Sequence, residues 1–89
     1  MPKALVCINT DLFSAEEVLN TIKSCKEVTE AYMVRGIYDI VATVEGKTFN
    51  DLVEVINKQI NRLLSVHTTT TMMIVEPKNA MHENELLVI

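Results

Sequence analysis

An α+β fold is what this sequence predicts, with strand, helix, strand, strand, helix and strand in that order. Three observations predict it. Residues 3–9, 28–35, 40–45 and 66–75 are apolar or β-branched-rich runs of strand length. Between the first and second runs, and again between the third and fourth, apolar residues recur at helical spacing. The second and third runs are separated by a short connection holding Gly36, as an antiparallel hairpin requires. Right-handed β-α-β crossovers then place both helices on one face of a four-stranded antiparallel sheet, the ferredoxin-like arrangement.

Each element has its own signal. The first strand, "KALVCIN", follows Pro2 and is broken by Asn9, Thr10 and Asp11. Ser14 stands three residues before Glu17, the spacing of a capping box in which each side chain satisfies the other's amide. Behind it Ala15, Val18, Leu19, Ile22 and Cys25 form the apolar stripe of a first helix over 15–25. Gly46 and Lys47 end the third strand, and Thr48 is placed to cap a second helix. Phe49, Leu52, Val53, Ile56, Ile60 and Leu63 give that helix one buried face over about four turns. The fourth strand meets no Gly or Pro until Pro77, and "ELLVI" at 85–89 predicts a short fifth strand. No linker or internal repeat divides the chain, so 1–89 is expected to be a single domain.

Bulk properties exclude several function classes. A net charge of −4 and eight scattered Lys and Arg leave no basic patch for nucleic acid. Cys7 and Cys25, the two cysteines, both sit in apolar patterns and read as buried thiols of a reducing compartment. No basic segment followed by an apolar run opens the chain, and no apolar stretch reaches membrane-spanning length. The expectation is a cytoplasmic protein without a membrane partner. Neither His67 nor His82 sits near a Cys or carboxylate at metal-ligand spacing, and two glycines make no phosphate loop. The sequence therefore predicts no catalytic set, no metal and no cofactor. Glu16, Glu17, Glu27 and Glu30 read as solvated surface.

The sheet raises a further expectation. One side takes Ala4, Val6 and Ile8 from strand 1, and the other takes Leu5 and Cys7. The second strand divides Val34 from Met33 in the same way, and the fourth divides Met72 and Ile74 from Met73 and Val75. A sheet apolar on both faces needs a second cover, and another copy of the chain would supply it. The sequence thus predicts a homodimer packed through the open sheet faces.

Two stretches remain as candidate binding groups. Gly36-Ile37-Tyr38-Asp39 reads most simply as a turn, with Gly36 at positive φ, Asp39 in a turn hydrogen bond and Tyr38 packed. The same groups offer backbone donors and acceptors, a carboxylate and an aromatic wall, which suit the two charged ends of a free amino acid. Thr68-Thr69-Thr70-Thr71 reads most simply as β-propensity, but one alternate pair could aim its hydroxyls into an interfacial pocket.

Taken in order, "VRGIYDIVATVEG", "FNDLVEVINKQINRLLSV", "VHTTTTMMIV" and "NELLVI" resemble the effector-binding (RAM) domain of the Lrp/AsnC transcription regulators. The likeness covers nearly the whole chain. It implies a ferredoxin-like fold, sheet-joined dimers assembled into larger rings, often octamers, and a free amino acid or similar small effector held between dimers. Carried over by position, the binding residues are Gly36, Tyr38, Asp39, Thr69 and Thr71, flanked by Arg35 and Ile37. Members usually carry a helix-turn-helix domain, whereas this sequence opens on strand 1. The resemblance is therefore to a stand-alone RAM domain, which would act on full-length relatives without touching DNA itself. Rival readings are an ACT-type regulatory subunit of a metabolic enzyme, a small dimeric α/β-barrel enzyme, and a purely structural assembly module. The Gly-x-Tyr-Asp and Thr-x-Thr stretches favour the RAM reading over the first. The absence of Trp disfavours the second.

Overall fold

Alternation of apolar side chains makes β1 (Lys3–Thr10) the middle of the molecule. It pairs antiparallel with β3 (Ile40–Glu45) on one side and with β4 (Val66–Met73) on the other, and β2 (Val28–Met33) extends the sheet beyond β3. The order β2-β3-β1-β4 is the ferredoxin-like order expected from the sequence. The structure, a computed structural model, describes residues 1–75. The fifth strand predicted at 85–89 lies outside the described residues.

Ala4, Val6 and Ile8 of β1 meet Ile40, Ala42 and Val44 of β3 and Ala31 of β2 on one face. Val18 and Ile22 of α1 (Ala15–Lys23), Leu52 of α2 (Phe49–Val55), and Ile56 and Ile60 join them in one buried cluster. Both helices thus cover the same side of the sheet. A bulge between Val28 and Glu30 turns Val28 toward that cluster while Glu30 and Tyr32 stay on the open side.

The two helix starts differ. Thr48 is extended (φ −130°, ψ 166°) and its hydroxyl accepts the Asp51 amide at 3.1 Å, the cap expected of it. The capping box at Ser14 and Glu17 does not form. Ser14 has near-helical backbone angles (φ −104°, ψ −3°), so its side chain makes no cap bond. Its amide donates instead to the Asp11 carbonyl at 3.0 Å.

Other boundaries shift. The first helix stops at Lys23 because the Ser24 hydroxyl folds back onto the Thr21 carbonyl at 2.6 Å, leaving Cys25 beyond the end. β2 stops at Met33, two residues before Arg35, and β4 at Met73, two before Val75. The second helix is not α throughout. After Val55 it widens into a π-helical segment, Ile56–Ile60, in which the Asn61 amide reaches the Ile56 carbonyl at 2.9 Å. Gly46 lets α2 approach the end of β3: a Cβ there would lie 2.8 Å from the Leu52 backbone nitrogen.

Candidate functional site

The β2–β3 turn, residues 34–39, is held from three sides. It closes on itself through the Val34 amide and the Asp39 carbonyl at 2.9 Å, and Gly36 supplies the φ of +152° that the bend needs. It is tied to β1 by the Asp39 amide, which donates to the Ile8 carbonyl at 2.9 Å. The Asp39 carboxylate adds to that tie. Its Oδ2 accepts both the Thr10 amide at 2.8 Å and the Thr10 hydroxyl at 3.2 Å. These are charge-assisted bonds in a half-buried setting, so Asp39 is first a clamp on the end of β1.

Tyr38 makes the third tie. Its hydroxyl donates to Thr70 Oγ1 at 3.2 Å, linking the turn to β4, where Thr70 is the register partner of Cys7. Cys7 is only 5% exposed although it lies on the open face. Nearby, Asn9 Nδ2 donates to Thr68 Oγ1 at 3.2 Å.

The four threonines divide by face. Thr68 and Thr70 are opposite Asn9 and Cys7 on the open side of the sheet. Thr69 and Thr71 are opposite Ile8 and Val6 on the helix side. Because β4 is an edge strand, that side remains reachable, and Thr71 is exposed. The Thr69 hydroxyl donates to Asn61 Oδ1 at 2.8 Å, and Asn61 Nδ2 donates to Asn57 Oδ1 at 2.9 Å.

The structure therefore brings Gly36, Tyr38 and Asp39 together with β4, but the contact runs through Thr70. Thr69 and Thr71 stand on the other face of the same strand. Arg35 and Ile37 are exposed in the turn. Sequence reasoning missed Thr10, Thr70, Asn57 and Asn61. Thr70 was one residue from the expected pair, and only the register between β1 and β4 decides which alternate threonines face Tyr38. Asn61 carried a weaker signal, an amide one helical turn after another amide.

An apolar rim surrounds this end of the sheet. Leu12, Phe13, Ile37 and Leu64 are 81%, 96%, 83% and 98% exposed. Leu12 and Phe13 follow Asp11, whose amide bonds the Ser65 carbonyl at 2.8 Å, next to Leu64. Phe13 is held out at φ +66°, a left-handed conformation unusual for an aromatic residue.

A groove of about 550 Å³ lies at the opposite end of the sheet. Its lining includes Lys26, Lys47 and Lys58 against Glu27, Glu45, Asp51 and Glu54, and none of the residues expected to bind a ligand. Such mixed, solvated charge gives it no defined ligand. The pKa displacements also lie elsewhere. Partial burial, with help from Glu27, pushes the Cys25 thiol up, and the hydrogen bond to Glu30 pushes the Tyr32 phenol up. Among the described residues no His, Cys, Asp and Glu gather in a metal-binding group, and no helix is long and apolar enough to cross a membrane.

A split β-α-β sheet with an anchored turn and exposed apolar loops at one end belongs to the class of ferredoxin-like binding domains. The family is settled by comparison: the model of the Lrp/AsnC ligand binding domain matches residues 3–81, and the chain belongs to that family. It is thus a regulatory effector-binding domain. The uncharacterized HTH-type transcriptional regulator YugG of Bacillus subtilis (strain 168) is 30% identical over 61 residues, 68% of this chain and 37% of that protein. The chain spans well under half the length of that relative. Among solved structures, FFRP-DM1 matches with a TM-score of 0.82 and 32% identity, covering 84% of this chain and 100% of that one. The transcriptional regulator NMB0573 of Neisseria meningitidis, solved as a complex with L-Met, shares the fold. Its TM-score is 0.75 at 12% identity, covering 85% of this chain and 51% of that one.

Proposed function

We propose that this domain senses a free amino acid at an interface between copies of itself and uses that binding to set its state of assembly. The observation that carries the reading is the anchored turn. Gly36, Tyr38 and Asp39 are fixed to β1 and β4, Arg35 and Ile37 project beside them, and four highly exposed apolar residues ring the same end. The sequence-derived binding residues divide between the two faces of edge strand β4 and, among the described residues, line neither of the two grooves of the chain. A second chain seated on the apolar rim would close the space, which suits an effector held between subunits. That a relative of this fold was solved with L-Met makes amino acids the first class to test.

The open sheet face supports the second half of the reading. Leu5, Cys7, Val41, Tyr32 and Met72 share that side, and Tyr32 and Met72 are exposed. A two-fold copy stacked there gives a dimer, and contacts through the rim join dimers into a larger ring, an octamer being the expected size. Effector concentration then shifts the assembly by linkage, because ligand stabilises whichever state completes the pocket. The domain's own scattered Lys and Arg offer no basic patch, so it would reach DNA through co-assembly with full-length regulators, which pull-down with and without effector would test.

The direct experiment is thermal unfolding against the twenty L-amino acids, with Arg35→Ala and Tyr38→Phe as site variants. An amino acid at about a hundred times its dissociation constant adds roughly 2.7 kcal/mol. For a domain this size the shift is of order ten degrees. A shift from one or a few amino acids, reduced in the variants, supports the reading. No shift from any of the twenty rejects amino-acid sensing. Asp39→Ala is a poorer control, since it also releases Thr10.

A further inference from the structure

We infer that Asn61 is a positioning residue that makes Thr69 a pure hydrogen-bond acceptor, and thereby selects ligands carrying an ammonium group over those carrying a carbonyl at that place. This rests on the reading of β4 as part of the effector site and adds to it a chemical polarity.

A threonine hydroxyl has one proton and two lone pairs, and a free hydroxyl turns to suit either a donor or an acceptor. In this structure the Thr69 hydroxyl is already engaged as a donor. Its proton is directed to Asn61 Oδ1 at 2.8 Å. The Asn61 amide is placed with its Nδ2 donating to Asn57 Oδ1 at 2.9 Å. The chain Asn57, Asn61, Thr69 therefore runs in one direction, and Thr69 presents lone pairs outward. A protonated amine satisfies them. A ketone or carboxylate oxygen meets them with like polarity.

The helix is shaped to deliver Asn61 to this point. The π-helical segment Ile56–Ile60 ends immediately before it, and the Asn61 amide makes the bond to Ile56 that defines the widened turn. A π turn inserts one residue, so the residues beyond it are rotated by about 100° from their places on an uninterrupted α-helix. Ile56 and Ile60 remain buried while Asn61 faces β4 across an eight-residue sequence separation. Thr71, two residues along on the same face and exposed, keeps its own hydroxyl for the other end of a ligand.

The test compares each amino acid that shifts the melting temperature of the wild-type chain with its 2-oxo acid, which puts a carbonyl where the ammonium stood. The readout is the ratio of the two affinities by titration calorimetry. Wild type should favour the amino acid strongly. Asn61→Ala frees the Thr69 proton to donate, so the ratio should fall by about tenfold, the worth of one hydrogen bond reversed in direction. Asn61→Asp keeps an acceptor for Thr69 and should restore the preference. In a Thr69→Val background Asn61→Ala should change nothing further. An unchanged ratio in Asn61→Ala, or an equal effect with and without the Thr69 hydroxyl, would overturn the inference while leaving amino-acid sensing intact. A wild-type chain answering none of the twenty amino acids would overturn both.

Discussion

The two faces of one sheet carry nearly the same kind of residue and lead to different consequences. On the covered face Ala4, Val6, Ile8, Ile40, Ala42 and Val44 are buried against two helices, with no polar or charged residue buried among them. On the open face Leu5, Val41, Tyr32 and Met72 interleave with Thr43, Glu30, Thr68 and Thr70. Alternate residues of the same strands supply both. The covered face is closed by the chain's own helices and so decides the fold. The open face mixes apolar side chains with hydroxyls and a Tyr32–Glu30 hydrogen bond of 2.9 Å, a surface suited to a partner that arrives after folding.

Substitutions should separate the faces, with the largest effects on the covered one. Ile8→Ala or Leu52→Ala empties a fully buried site and should cost about 2–5 kcal/mol in urea unfolding. Gly46→Ala forces a Cβ toward the backbone of α2 and should cost about 1–3 kcal/mol by the same measurement. Leu5→Glu and Met72→Glu should leave the fold largely intact and, if the proposed sheet-to-sheet dimer forms, yield a monomer in sedimentation velocity. If those two variants unfold the chain, or sediment like wild type, the division of labour between the faces is broken.

The sequence was legible along the same division. Periodicity reports burial, so strand β3 was readable to the residue, and most of both helix stripes reached the buried cluster, although Phe49 and Val53, expected on the buried face of the second helix, are exposed. Periodicity says little about where hydrogen bonds switch register. The π-helical segment keeps Ile56 and Ile60 buried at a spacing an α-helix also uses, so nothing in the apolar pattern marks it. The turn was legible, because Gly36 and Asp39 are turn residues, and the structure bends the chain there with Gly36 at positive φ and Asp39 hydrogen-bonded. The partners that anchor the turn were not legible. Thr10 and Thr70 are chosen by strand register, and four consecutive threonines carry no register of their own.

Caps give a smaller and sharper contrast, since Thr48 and Ser14 had equal claims in sequence. Thr48→Ala removes an existing bond to the Asp51 amide and should cost about 1 kcal/mol. Ser14→Ala and Glu17→Ala should stay within about 0.5 kcal/mol of wild type, because no reciprocal box is made. Equal losses at the two helix starts would mean that Ser14 caps its helix in solution after all.

The smallest effect should come from Cys25, at the margin of the covered face. Its thiol touches Gln59 Oε1 at 3.6 Å, and partial burial together with Glu27 raises its pKa above the ordinary thiol range. A raised pKa means the folded chain holds the proton more tightly than the unfolded chain does. The resulting stability is complete below the unfolded thiol's pKa and is lost as pH rises through the folded value. Wild type should therefore lose slightly more stability than Cys25→Ala between neutral and strongly alkaline pH, and Glu27→Gln should narrow the difference. Alkylation of Cys25 near neutral pH should run slower than that of a free thiol, because the neutral form is the poorer nucleophile. A wild-type curve that stays parallel to Cys25→Ala across the alkaline range would show that this edge of the apolar layer tolerates a thiolate, and that the covered face ends before Cys25.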